Sequence, residues 1–126
     1  SGLEVDALDG RPGIYSARYK KGSDSDRINK LLKELAGVPK EKRTARFVAQ
    51  VAIYNPQTQK TYTFEGVSCG HITDRPMGDN GFGYDPVFFN LDLGKTNAQV
   101  SLKEKNKVSH RARALIKAKK YLYRYS

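Results

Sequence analysis

Leu3, Val5 and Ala7 alternate with Glu4 and Asp6 at the start of the chain, a period-two pattern that predicts a short strand with one wet face. Asp9-Gly10 and Pro12-Gly13 then punctuate a loop through Tyr15-Ser16-Ala17-Arg18-Tyr19. Ile28, Leu31, Leu32 and Leu35 fall at i, i+3, i+4 and i+7, which predicts a helix capped by Ser23, Asp24 or Ser25. Gly37 supplies its stop, with Pro39 just beyond. Ala45, Phe47, Ala49, Val51 and Ile53 share one face of a long strand, and Asn55-Pro56 opens a turn. Residues 61–72 return as the antiparallel partner, with Gly66 and Gly70 predicting a bulge or bend inside it. A glycine-rich loop over residues 79–86 leads into a short apolar strand, Val87-Phe88-Phe89. A last helix is expected after Ser109, with Ala112, Leu115, Ala118 and Leu122 along one stripe. The order β, α, β, β, β, α reads as a mixed α/β fold. The length of 126 residues reads as a single domain over 1–126.

Charge changes the picture. Lys and Arg number 23 against 13 Asp and Glu, a formal charge of +10. That balance favours anionic partners: nucleic acid, acidic membrane surfaces or phosphorylated small molecules. No apolar run approaches the roughly 20 residues of a membrane-spanning helix, which excludes that class. Cys69 is the single cysteine; it excludes an intrachain disulfide framework and suits a reducing compartment such as the cytoplasm. With no activating partner in sequence, it reads as a buried, inert thiol. His71 ends an apolar strand and reads as a surface or packed histidine. With only His71 and His110 beside one cysteine, no zinc site is readable.

Candidate chemistry gathers at two places. Ser109 caps the last helix and leaves His110 and Arg111 in its first turn. Unpaired N–H groups and the positive end of the dipole meet there. Cations at such a point call for an anion or another acceptor, and Lys103, Lys105 and Lys107 extend the positive region. The same residues also fit a solvated basic face. The second place is Gly81-Phe82-Gly83-Tyr84-Asp85-Pro86. Its glycines admit a flat ligand, Phe82 and Tyr84 offer stacking surfaces, and Asp85 offers an acceptor to a ring N–H. A turn whose aromatics fill the core fits it equally.

Taken together, separated segments resemble the inosine triphosphate pyrophosphatase family. They are Ser1-Gly2-Leu3-Glu4-Val5-Asp6-Ala7-Leu8 with Pro12-Gly13 and Tyr15-Ser16-Ala17-Arg18; Gly81-Phe82-Gly83-Tyr84-Asp85-Pro86; and Lys105 followed by Ser109-His110-Arg111. The resemblance covers the chain from Ser1 to the final helix. It implies a mixed β-sheet with flanking helices, two lobes around a central cleft, and a homodimer. It also implies hydrolysis of non-standard purine nucleoside triphosphates (ITP, dITP, XTP) to the monophosphate and pyrophosphate, with Mg2+. By resemblance, Ser1 contacts the substrate near its phosphates. Phe82, Gly83, Tyr84 and Asp85 line the base pocket, and Lys105, His110 and Arg111 complete it. Hypoxanthine and xanthine carry a carbonyl at position 6 where adenine carries an amino group, so Arg111 is expected to donate to that carbonyl while Phe82 stacks on the ring.

The family places metal-binding acidic residues just before its Ser-Gly-Leu run, and a triphosphate-holding Ser/Thr-x-Asn-x-x-Lys motif farther upstream. This chain starts at Ser1, so the catalytic and metal-binding residues are expected upstream of it, with none in the chain. Asp6 and Asp9 do not take their places. The expectation is a partial base pocket with negligible hydrolysis. Competing readings are a basic nucleic-acid-binding module and an inactive fragment that dimerises.

Overall fold

A computed structural model describes residues 1–125 of the chain, with side chains through Arg124. Strands β1 (Gly2–Val5), β2 (Pro12–Gly13), β3 (Thr44–Asn55), β4 (Lys60–Ile72), β5 (Phe88–Asn90) and β6 (Lys95–Thr96) form one sheet. Their order is β2-β1-β3-β4-β5-β6, and each pairing is antiparallel. Helices α1 (Asp24–Glu34), α2 (Leu102–Val108) and α3 (His110–Tyr125) complete the mixed α/β architecture. Among the described residues, no helix is long and apolar enough to cross a membrane.

The long hairpin of β3 and β4 follows the alternation in its sequence. Ala45 and Ala49 are buried and Phe47, Val51 and Ile53 partly so, whereas Thr44, Arg46 and Gln50 are exposed. The bulge expected at Gly66 and Gly70 is absent: the register runs without a break, with Ala49 opposite Gly66 and Ala45 opposite Gly70. Both glycines answer to close approach instead. A Cβ on Gly70 would strike the Phe89 carbonyl, and one on Gly66 would strike the His110 carbonyl and the Ala114 amide. α3 therefore lies with its backbone against the sheet, as only small residues allow.

That contact also explains the helix phase. Ala114 and Ala118 are buried against the sheet, while Leu115 and Leu122 are 56% and 52% exposed. The stripe expected through Leu115 and Leu122 is thus turned outward, because a leucine facing Gly66 would lift the helix. Of β4, β5 pairs only with Gly70, His71 and Ile72, which leaves earlier β4 carbonyls without a strand partner on that side. Arg113 Nη1 donates to Val67 O at 2.8 Å and Lys117 Nζ to Glu65 O at 2.6 Å. These bonds fasten α3 on either side of Gly66. Near its end, Tyr121 packs on Tyr62 and Phe64.

α1 covers the same sheet face nearer β1. Ser23 caps it, and Asp26 returns the bond in a capping box. Ile28, Leu31 and Leu35 bury themselves among Leu3, Val5, Ala45, Ile72, Val87 and Phe88, each such side chain contributing roughly 1.5–3 kcal/mol. Arg43, also buried, donates to the carbonyls of Leu35, Val38, Ile72 and Thr73. It binds the end of α1 to the end of β4 in a way that composition gave no hint of. β1 stops at Val5, because Asp6–Leu8 turn and leave Ala7 exposed. α2 was not legible: Leu102–Val108 is mostly polar, and only the Ser101–Glu104 capping box marks it. Cys69 is exposed rather than buried. It alternates with buried Ser68 and Gly70, so its side chain leaves the sheet on the face opposite the helices.

Gly66→Ala should lower stability by about 3 kcal/mol, the upper end of ordinary overpacking, since backbone rather than a flexible side chain must give way. Urea denaturation reads this directly. A loss below about 0.5 kcal/mol would show that α3 does not rest on Gly66.

Candidate functional site

Residues 81–85 close on themselves. Phe82 N–H donates to Asp85 Oδ2 at 3.0 Å, and Asp85 N–H donates to Phe82 O at 3.2 Å. Gly81 and Gly83 sit at φ of 76° and 61°, which side chains other than glycine resist. Tyr84 turns inward, and its hydroxyl donates to Ser16 O at 2.6 Å; burial raises its pKa to about 12. Phe82 turns outward and remains 59% exposed.

Asp85 is 4% exposed, a carboxylate that burial would penalise heavily without partners. Lys105, itself buried, reaches from α2 to place Nζ 2.6 Å from Asp85 Oδ2. Asn97 Nδ2 approaches the other oxygen at 3.4 Å. The Asp85 carboxylate, expected to offer an acceptor to a ring N–H, uses its Oδ2 to hold the loop together through the Phe82 amide and Lys105. The Lys105 ammonium also lies 4.3 Å from the Phe82 ring centroid, so the aromatic plate rests partly on a cation.

Ser109 ends α2 and begins α3, its hydroxyl accepting from Ala112 N–H at 3.1 Å. The amides of His110 and Arg111, in the first turn, have no carbonyl four residues back within α3. Arg111 is exposed, has no carboxylate partner among the described residues, and sets its guanidinium 5.9 Å from the Phe82 ring centroid. His110 stacks on Phe47 with centroids 4.9 Å apart, and its Nε2 lies 3.3 Å from Ser1 Oγ. Burial, with Arg111 and Lys105 nearby, pushes the His110 pKa down to about 4. The imidazole is therefore neutral at pH 7.

These groups line one cleft of about 460 Å3. The structure brings Ser1, Phe82, Gly83, Tyr84, Asp85, Lys105, His110 and Arg111 all to it. Lys103 and Lys107, exposed on α2, do not line it. Sequence reasoning assigned no site role to the opposite wall, where Ser16, Asp24 and Arg27 face the loop, and it placed Phe47 only on one face of a strand. The signal for Asp24 was present in the helix start it had been offered to cap; Ser23 takes that role and frees Asp24 for another. A second concavity, of about 500 Å3, opens beside Val38, Arg43, His71 and Phe89. Its buried cation, Arg43, spends its donors on four backbone carbonyls. The cleft between loop and α3 is where uncommitted donors and an exposed aromatic face converge.

The residues present do not fit a magnesium site. Asp85 is bound to Lys105 and Phe82 N–H, and Asp24 to Arg27 and Gly83 N–H. Among the described residues, no group of three or more His, Cys, Asp or Glu side chains could hold a metal ion.

Comparison with known proteins returns relatives along nearly the whole chain. The model of the Ham1 family matches residues 1–121. The dITP/XTP pyrophosphatase of Geobacter sulfurreducens is 53% identical over 124 residues, covering 97% of this chain and 62% of that protein. The dITP/XTP pyrophosphatase of Bacillus subtilis is 50% identical over 124 residues, with the same coverage of 97% and 62%. The solved Ham1 protein of Staphylococcus aureus superposes with a TM-score of 0.92 at 42% identity, covering 99% of this chain and 65% of that one. The chain thus spans about three fifths of the length of the curated relatives it matches.

His110 should titrate with a midpoint near 4 in the folded chain, against 6.5 when unfolded. Between those values the unfolded chain binds the proton and the folded one does not. His110 therefore makes stability fall as pH drops from about 6.5 to about 4, and adds no further loss below. Proton NMR of the imidazole checks this; a midpoint at or above 6 would mean the ring is not buried beside these cations.

Proposed function

The chain belongs to the Ham1 family, and from that premise we propose that its cleft receives the base of a non-standard purine nucleoside triphosphate. The substrates are ITP, dITP and XTP, destined for hydrolysis to the monophosphate and pyrophosphate. The observation that carries this reading is the exposed Phe82 ring beside Arg111, which has no carboxylate partner among the described residues, at the start of α3. A purine stacked on Phe82 brings its perimeter within reach of that guanidinium. Arg111 donates to the 6-carbonyl of hypoxanthine or xanthine. Adenine would set an amino group there and leave donors unpaired, which costs about 1–3 kcal/mol per mismatch. Guanine shares the carbonyl and is rejected through its 2-amino group. Ser1, beside neutral His110, sits toward the phosphates. The relatives' own names as dITP/XTP pyrophosphatases support the substrate class.

The same reading includes magnesium with the triphosphate, a homodimer, a cytoplasmic setting and one domain over the chain. Magnesium would neutralise phosphate charge and activate water. The described residues supply no ligand set for it, so no step is derived through the ion. Both cleft carboxylates are held by cations and amides, so the role assigned to the cleft is recognition of the base.

Calorimetric titration tests recognition. ITP should bind about tenfold or more tightly than ATP, and Arg111→Ala should bring the two close together; equal binding by the parent chain overturns the base reading. A pyrophosphate-release assay with magnesium should stay at background for the 126-residue chain. Robust release would show that catalytic groups lie among these residues after all.

A further inference from the structure

The aromatic loop is tied to the far wall of the cleft by a side chain outside every motif quoted above. Gly83 N–H does not close within the loop; it donates outward to Asp24 Oδ2 at 2.9 Å, from a residue 59 positions away. Tyr84 Oη, bonded to Ser16 O, makes a second tether on the same wall.

Asp24 is held as a rigid acceptor. It is the first residue of α1, where the helix dipole favours a carboxylate. Its Oδ1 accepts from Arg27 Nη2 at 2.9 Å, and Arg27 Nη1 is in turn fixed to the carbonyls of Lys20 and Gly22. Both carboxylate oxygens therefore have set directions. The helix does not need Asp24 for its own start, since Ser23 and Asp26 form the capping box. The Gly83 amide, followed by Arg27, holds the Asp24 carboxyl below the usual range, so it is ionised across the neutral range.

Phe82 shows what the latch controls. Two cations, Lys105 and Arg111, lie over its ring, and the residue is 59% exposed. The backbone that carries it is held at Phe82 N–H by Asp85 and at Gly83 N–H by Asp24. Gly83, at φ 61° with open space where a Cβ would stand, has no side chain to anchor it.

We propose that Asp24 is a positioning residue for base recognition: by latching the Gly83 amide to the start of α1, it holds the loop that presents the Phe82 ring beside Arg111. This deepens the purine reading above and rests on it. Asp24 touches no reacting atom; it acts through the loop.

The test compares Asp24→Ala and Asp24→Asn with the parent in the full 126-residue chain. Asp24→Ala should weaken ITP binding about tenfold, the loss of one charge-assisted hydrogen bond at a partly exposed site. Asp24→Asn keeps an acceptor oxygen and should lose only about two- to threefold. ATP, which makes no paired contact at Arg111, should lose less than ITP, so selectivity narrows, a change that a uniform loss of fold stability would not produce. The Gly83 amide resonance gives a readout that needs no nucleotide. In the parent it should move as acid protonates Asp24, with a midpoint below the ordinary carboxylate range, because the latch holds above that pKa and releases below it; in Asp24→Ala the movement should vanish. Parent-like affinity and selectivity in Asp24→Ala overturns the proposal. If the parent chain binds no ITP, the purine reading fails separately, and a Gly83 amide indifferent to acid and to Asp24→Ala overturns the latch as well.

Discussion

A buried ion pair holds the cleft in shape. Asp85 and Lys105 meet at 2.6 Å with both side chains at or below 10% exposure. Desolvating two charges is costly, and such pairs often contribute little net stability. Removing one partner is another matter, because the remaining charge is then stranded, at about 3–5 kcal/mol. The pair therefore acts less as a source of stability than as a constraint on geometry. It forces the loop carrying Asp85 and the helix carrying Lys105 into one arrangement, and it leaves the ammonium beneath Phe82. Asn97, joined through Asn90 to Ser68, extends the buried polar chain into the sheet. The aromatic plate is thereby registered to the strands rather than floating on a surface turn.

The other side of the cleft is set by a missing side chain. Because Gly66 has no Cβ, α3 descends until its first turn and Ala114 meet β4, and Arg113 and Lys117 hold it there. This places His110 on Phe47 and presents Arg111 toward the loop. Had the helix packed through Leu115 and Leu122, it would stand farther off the sheet and the mouth would open. Site geometry here follows from a packing choice made several residues from any functional group.

Much of this was legible in the chain, for physical reasons that also explain the gaps. The two-residue alternation of residues 45–53 and the spacing of Ile28, Leu31 and Leu35 fixed β3 and α1, because each buries one face only. The glycines and aromatics of residues 81–85 and the Ser109-His110-Arg111 cap drew notice because their backbone and charge requirements are local. What stayed hidden depends on contacts distant in sequence. The roles of Gly66 and Arg43 exist only when α3 and the end of β4 are in place. Cys69, with no activating partner in sequence, reads as a buried thiol, yet strand parity against an uncovered face exposes it. The Lys105 ammonium that meets Asp85 comes from twenty positions on, a pairing the loop sequence alone does not show. α2 carries too little apolar periodicity to announce itself.

What the mouth of α3 asks for can be argued from charge. First-turn amides and the Arg111 guanidinium concentrate positive potential, and depressing the His110 pKa is the protein's partial relief. A phosphate would satisfy that potential, as would a carbonyl oxygen. Phe82 decides between them. An aromatic ring more than half exposed beside the cations gains nothing from a phosphate but stacks well on a flat heterocycle, worth about 1–3 kcal/mol. A heterocycle that both stacks on the ring and turns a carbonyl toward Arg111 uses every uncommitted group at once. An oxopurine has that shape and polarity. A neutral carbonyl also suits the charge balance better than a phosphate would, because Lys105 is already neutralised by Asp85 and Arg27 by Asp24, leaving chiefly Arg111 and the helix dipole to be answered.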